Sequence, residues 1–304
     1  MKMRRLSIFV ILLSLLVSTI TGCQYKFQPG TYTDDGGRAV SINEIPERIV
    51  SHVPPITEIL FALGLDDKIV GVSDLANYPE AAKLKPKIGD AFSPSLEKII
   101  ELEADLVLTV KHEQLNTELD ALGVKFMVID PEDIDGVLKD IELIGRITGV
   151  EKRAEELVKE MQDSIARVSA RVKDASKVSV FFIVDATDLN HPWTAGAGSF
   201  IDTLIAMAGG ENVAGETPGG AWLQFSIEQI VSSDPEVIII QAMTGGIPTV
   251  AKEVLEEHSA WRETSAVKQG KVFLIDGDLS SRPGPRIVQG LEEIAKIINP
   301  ELFE

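Results

Sequence analysis

Two segments 131 positions apart carry one pattern: Ser95-Leu96-Glu97-Lys98-Ile99-Ile100 and Ser226-Ile227-Glu228-Gln229-Ile230-Val231. At that same spacing Asp105-Leu106-Val107-Leu108 is matched by Glu236-Val237-Ile238-Ile239. A helix–turn–strand unit therefore occurs twice. Each copy continues through a helical stretch to a strand ending in aspartate, Phe126-Met127-Val128-Ile129-Asp130 and Val272-Phe273-Leu274-Ile275-Asp276. Other short apolar runs, Arg48-Ile49-Val50-Ser51, Ile69-Val70-Gly71-Val72 and Val178 to Val184, alternate with helical patterns, the signature of a parallel sheet. Between the copies Val137, Ile141, Ile144 and Ile147, then Ala154, Leu157, Val158, Met161, Ile165 and Val168, recur at helical spacing, with a possible break at Thr148-Gly149. The expected fold is α/β: two similar three-layer parallel-sheet lobes joined by one long rigid helix, with a cleft between them. The lobes are expected at 38–130 and 176–304, and the connecting helix at 131–175.

The chain begins with Lys2, Arg4 and Arg5 ahead of an uncharged apolar run, Leu6 to Ile20, which reads as a secretory signal peptide. That run is short of the ~20 apolar residues needed to span a bilayer. It ends in Ile20-Thr21-Gly22-Cys23, which resembles a bacterial lipobox. Residues 1–23 are then a lipoprotein signal peptide whose Cys23 takes up lipid, placing the protein outside the cytoplasm and anchored to a membrane. Cys23 is the only cysteine, so no internal disulfide can form. Residues 24–37 are rich in Pro, Gly, Thr and Asp and read as a tether. With 29 basic against 47 acidic residues the net charge is −18, which excludes nucleic acid as a partner.

In a parallel sheet ligands bind outside the carboxyl ends of the strands, so the loops there hold the candidates. The first strand runs into His52-Val53-Pro54-Pro55, and its counterpart into Asn190-His191-Pro192-Trp193-Thr194-Ala195-Gly196. Phe92 and Trp222 precede the paired Ser-x-Glu helices, and the last strand leads to Ser280-Ser281-Arg282-Pro283-Gly284-Pro285-Arg286. Aromatic platforms flanked by a few polar groups suit a large, flat, partly apolar ligand. Ordinary core packing is the competing account of Trp193 and Trp222.

Arg48-Ile49-Val50-Ser51, Pro55-x-Thr57-Glu58-Ile59-Leu60-Phe61-Ala62-Leu63-Gly64, Val70-Gly71-Val72-Ser73, Tyr78-Pro79 and Pro285-Arg286 resemble the substrate-binding proteins of importers for cobalamin, ferric siderophores and haem. The resemblance implies two lobes on a rigid helix, and as partners a permease dimer with its ATPase subunits. Within that family Pro192-Trp193-Thr194-Ala195-Gly196, Trp222 six residues before Glu228, and Arg282 four before Arg286 resemble the cobalamin binders most. It implies a corrinoid site built from Pro54, Pro55, Phe92, Trp193, Trp222 and Arg282. Leu75 stands where those proteins often have a tyrosine. No cofactor is implied, since the corrinoid is cargo. The resemblance also implies that Glu97 and Glu228, one per lobe, meet arginines of the two permease subunits. A first-turn carboxylate is in any case favourable against the helix dipole.

Catalysis has little support. No Gly-rich phosphate loop follows a strand and no Gly-x-Ser-x-Gly elbow occurs, while Glu58 reads as structural. Three rival ligands remain. A metal ion could use His52, His112 and His191 with Asp276 or Asp278. Haem would need an axial ligand, and the tyrosines are Tyr25, Tyr32 and Tyr78. A ferric siderophore would call for several basic cleft residues, of which Arg282 is the one placed there.

Overall fold

The computed structural model describes residues 27–243 and 247–304. The signal peptide, Cys23 and residues 24–26 of the expected tether lie outside them.

The amino-terminal lobe opens with a hairpin, β1 (Gly30–Thr33) and β2 (Ala39–Ile42). Its core follows as β3 (Ile49–Ser51), α1 (Pro54–Ala62), β4 (Ile69–Val72), α2 (Leu96–Glu101), β5 (Leu106–Thr109), α3 (Glu113–Ala121) and β6 (Phe126–Val128). Two helices come next, α4 (Ile134–Thr148) and α5 (Glu151–Val172). The second lobe contains β7 (Val178–Asp185), β8 (Trp193–Ala195), α6 (Phe200–Met207), β9 (Gly210–Asn212), β10 (Trp222–Gln224), α7 (Ile227–Ser233), β11 (Val237–Met243) and β12 (Ile247–Pro248). It closes with α8 (Lys252–Glu257), α9 (Ser265–Lys268), β13 (Val272–Asp276), α10 (Gly277–Ser280) and α11 (Ile287–Ile298).

The duplication holds down to the register. In the first lobe β4, β3, β5 and β6 lie side by side, all parallel. In the second, β9, β7, β11 and β13 form the same parallel array. Ile49 faces Leu106 and Val180 faces Val237, both partners shifted by the same 131 positions. The paired helices start alike: the Ser95 hydroxyl accepts from the Lys98 N–H, and Ser226 does so from Gln229 in a full capping box.

Burial on alternate residues explains the three layers. Ile49, Leu106, Leu108 and Met127 join one cluster, while Val50, Val107, Phe126 and Val128 point the other way, under Ile99 of α2 and Leu115 and Leu119 of α3. The second sheet divides likewise, with Val180, Phe182, Val237 and Ile239 on one face and Phe181, Ile183, Ile238 and Ile240 on the other. The first-named faces of both sheets belong to a single apolar cluster that includes Leu157, Val158, Met161, Val168 and Val172 of α5. The strut is thus part of the core of both lobes.

Two boundaries need correction. One long helix, α5, joins the lobes as expected, but residues 131–175 hold two helices, because Gly149, at the possible break, takes a left-handed conformation (φ 77°) that ends α4. Gly145 lies against Ala154 with no room for a side chain, so the helices pack where they meet, and the 22 residues of α5 alone form the strut, about 33 Å long. Residues 30–37, expected in the tether, are folded. Asp34-Asp35-Gly36-Gly37 is the turn of the hairpin, and it is stitched to β6. The buried Asp34 carboxylate accepts from Val128 N–H (3.0 Å) and Arg38 N–H (2.8 Å), and Asp35 N–H donates to Val128 O (3.0 Å).

Next to this junction Asp140 of α4 is buried, and its Oδ2 has no hydrogen-bond partner. Burial, reinforced by the charge of Asp35, pushes its pKa up to about 8. The folded chain keeps this proton over a range in which the unfolded chain gives it up. Its contribution to stability is therefore whole below about pH 4 and falls by about 1.4 kcal/mol per pH unit up to about pH 8. Asp140→Asn should remove that loss, so its stability advantage over the parent in urea unfolding grows from pH 5 to pH 8. A difference that stays constant with pH would contradict a neutral buried Asp140.

Candidate functional site

The lobes touch through loops that leave the carboxyl ends of their strands. Glu58 sits in α1, directly after β3, and is 3% exposed. Two arginines from the other lobe hold it. Arg286 grips it with a fork, Nε to Oε2 at 2.8 Å and Nη2 to Oε1 at 2.7 Å. Arg282 donates to Glu58 Oε1 (3.3 Å) and to Asn77 Oδ1 (2.7 Å), and pairs with Asp278 at 2.8 Å. Asn77, which follows β4, donates to Asp278 Oδ2 (2.8 Å), and the Tyr78 ring lies 4.0 Å from the Arg286 guanidinium carbon. Behind this cluster, towards α5, is a cavity of about 460 Å³ walled by Phe61, Leu157, Met161 and Val288.

This arrangement changes the roles expected of three residues. Arg282 is spent on Glu58, Asn77 and Asp278 and belongs to the floor of the cleft. Pro54 is buried at the start of α1, where its missing N–H is harmless, so it packs and does not line a ligand surface. Pro55 abuts the backbone of Gly284 across the lobe boundary.

The tryptophans are not in loops. Trp193 of β8 and Trp222 of β10 lie on an antiparallel ribbon continuing the second sheet, with Gln224 opposite Trp193 and Ala195 opposite Trp222. In that register the two rings share a face as diagonal neighbours. They are 44% and 49% exposed, whereas the third tryptophan, Trp261, is fully buried with its Nε1–H on Leu189 O (3.0 Å). Core packing thus explains Trp261 alone. Phe92 stands on the first lobe's loop, 85% exposed.

The three histidines do not form a metal site. His52 is buried between Thr109 Oγ1 (2.9 Å) and Ala91 O (3.1 Å), and burial, helped by His112, lowers its pKa to about 4. His112 caps α3, its Nδ1 accepting from Leu115 N–H (3.2 Å), with its ring 5.4 Å from that of His52. His191 is held instead by Asp188 (3.2 Å). Asp276 caps α10 and Asp278 is paired with Arg282. Among the described residues no group of three or more His, Cys, Asp or Glu side chains is placed to hold a metal ion.

Glu97 and Glu228 occupy equivalent first-turn positions of α2 and α7, and both are exposed. Neither makes an ion pair with another described residue.

The two lobes, joined by a helical strut and bridged through Glu58, Arg282 and Arg286, make a bilobal α/β protein. Residues 49–279 match the family model described as periplasmic binding protein. The chain is 34% identical to an uncharacterized ABC transporter substrate-binding lipoprotein, YvrC of Bacillus subtilis, over 91% of this chain and 87% of that protein. It is 30% identical to a cobalamin-binding protein of Halobacterium salinarum, over 88% of this chain and 73% of that one. Among solved structures, the periplasmic heme-binding protein RhuT from Roseiflexus sp. RS-1 superposes with a TM-score of 0.75 at 27% identity, covering 84% of this chain and 99% of RhuT. The chain belongs to the periplasmic binding protein family, the non-enzymatic substrate-binding components of ATP-driven importers.

The inter-lobe ion cluster was visible in the sequence only as a structural Glu58 and an isolated Pro285-Arg286. Its energetics are testable. Glu58→Ala would leave the Arg286 guanidinium without its carboxylate and Arg282 with Asp278 alone, so denaturant unfolding should show a loss of about 3–5 kcal/mol. A loss below about 1 kcal/mol would mean that water already solvates this cluster.

Proposed function

We propose that the protein captures a corrinoid, cobalamin or a near relative, between its lobes and passes it unchanged to a permease dimer driven by ATPase subunits. The observation that carries this reading is the Trp193–Trp222 pair, half-exposed on one face of a ribbon at the carboxyl edge of the second sheet. Two large rings held in water by paired strands offer a broad apolar platform, which a bulky, flat macrocycle can cover. The halobacterial relative named for cobalamin binding supports the same choice.

The likeness to RhuT favours haem as the second reading. Against it, Tyr32 bonds Gln28 O, and His52 and His112 hold backbone groups. A ferric siderophore is disfavoured because Arg282 and Arg286 are neutralised by Glu58 and Asp278.

Calorimetry with cobalamin should show one molecule bound per chain, and Trp222→Ala should weaken binding by about 1–3 kcal/mol, roughly 10- to 100-fold. Retention of haem or a ferric siderophore with no uptake of cobalamin would replace this assignment.

The proposal includes docking through Glu97 and Glu228 and a lipid anchor on Cys23. Like charges at pseudosymmetric positions suit a two-fold permease, and truncating one side of an interfacial ion pair can cost ~2–5 kcal/mol. The Glu97→Ala/Glu228→Ala double variant should bind cobalamin normally and yet fail in transport, with partial defects in the single variants. Normal uptake by the double variant would end the docking role. In the same cells, fatty-acid label on the chain should vanish with Cys23→Ser, and persistent label would place the anchor elsewhere.

A further inference from the structure

We propose that His52 and His112 are positioning residues, holding the loop that presents Phe92 at the carboxyl edge of the first sheet. The ligand contact assigned to Phe92 rests on the corrinoid reading, but the positioning itself does not. The loop leaves the sheet at Gly89 and returns at Pro94, where these two residues form an isolated bridge. Within it the Asp90 carboxylate accepts from the N–H groups of Phe92 (2.8 Å) and Ser93 (2.7 Å). That leaves the carbonyls of Ala91 and Phe92 to be satisfied. Each meets one imidazole: His52 Nε2 lies 3.1 Å from Ala91 O and His112 Nε2 lies 3.3 Å from Phe92 O. No other donor among the described residues bonds either oxygen.

The contacts fix where the protons sit. A carbonyl can only accept, so both Nε2 atoms carry hydrogen. His112 Nδ1 must then be bare, as its bond from the Leu115 N–H requires, while His52 Nδ1 lies 2.9 Å from the Thr109 hydroxyl, which also reaches Val110 O and Asn116 Oδ1 (both 3.3 Å). The two rings stand edge-on to each other at 72°. They stem from different strands, His52 directly after β3 and His112 at the start of α3 beyond β5, so the loop hangs from two neighbouring strand ends. Phe92, meanwhile, keeps its ring almost wholly in solvent. Burying a polar ring completely, as at His52, in order to hold a loop whose most prominent feature is an exposed phenyl group makes sense when that ring has a partner to meet.

His112 does two jobs, and two substitutions separate them. Asparagine places an acceptor where Nδ1 caps α3 but cannot reach Phe92 O. Glutamine carries a donor to the position of Nε2 but is a poor cap. Hydrogen exchange on the full folded protein, without ligand, should show the Phe92 and Ser93 amides exchanging about tenfold faster in His112→Asn, the scale of one lost hydrogen bond, with the melting temperature nearly unchanged. His112→Gln should keep the loop protected while the melting temperature falls. Thr109→Val, which removes the hydroxyl that orients His52, should also raise loop exchange and serves as the independent check should the His112 variants fold poorly. Unchanged loop exchange in His112→Asn and Thr109→Val overturns the positioning role.

With cobalamin as the probe, His112→Asn should weaken binding about five- to tenfold in the parent and less than twofold in a Phe92→Ala background. An equal loss in both backgrounds would show that the histidine acts on something other than Phe92 and overturns the proposal. If the unmodified protein binds no cobalamin, the corrinoid reading falls, and the exchange experiment still decides whether the histidines hold the loop.

Discussion

A carboxylate as deeply buried as Glu58 is stable only with its charge answered, and both answering groups come from the other lobe. Drawing the first lobe away from the second would break the forked pair between Glu58 and Arg286 and the bond from Arg282. The same separation is set a second time by α5, whose inner face is packed into the core of both sheets. Two independent sets of contacts, one polar and one apolar, join the lobes. A ligand entering between them meets a surface already formed, and little of its binding energy goes into bringing the lobes together.

The duplicated sheets show how one scaffold supports unlike walls. Strand order is common to both lobes, and the central pairs, β3 with β5 and β7 with β11, share one register. Beyond them the copies diverge, since β12 and α8 are inserted before the closing strand of the second lobe. The Trp193–Trp222 ribbon is likewise confined to the second lobe, and the histidine-hung loop to the first. Shared features lie in the sheets and helix caps, while differences gather where strands end. That division follows from packing: a strand buried on both faces tolerates little change, whereas a loop at its end tolerates much.

Much of this was legible in the sequence because it is periodic or local. The 131-residue offset, the Ser-x-Glu caps and the strut are patterns within a few residues of one another or repeated at a fixed interval. Gly149 could be suspected as a break because a glycine after a long apolar stripe is a common helix terminator. The ion cluster was not legible, since its partners lie 224 and 228 positions apart and nothing local marks them as neighbours. Arg282 consequently looked free for a ligand. The tryptophans carried no local sign of which would be buried, since strand pairing is what exposes Trp193 and Trp222. Asp34-Asp35-Gly36-Gly37 looked like tether because its polar composition hid the alternation of Val40 and Ile42 beside it.

The stitched hairpin has a mechanical consequence. A pull on the amino end of the folded body first meets Phe27, packed against the core beside Gly149, and then opens the ribbon from the Gly30–Ile42 pair towards its turn. There it meets Asp34, whose carboxylate bonds link the turn to the end of β6. The load passes into the first lobe, and the second follows through α5 and Glu58 without bearing it directly. A pull at the amino end is thus borne by the hairpin and the sheet of the first lobe before it reaches the contacts between the lobes.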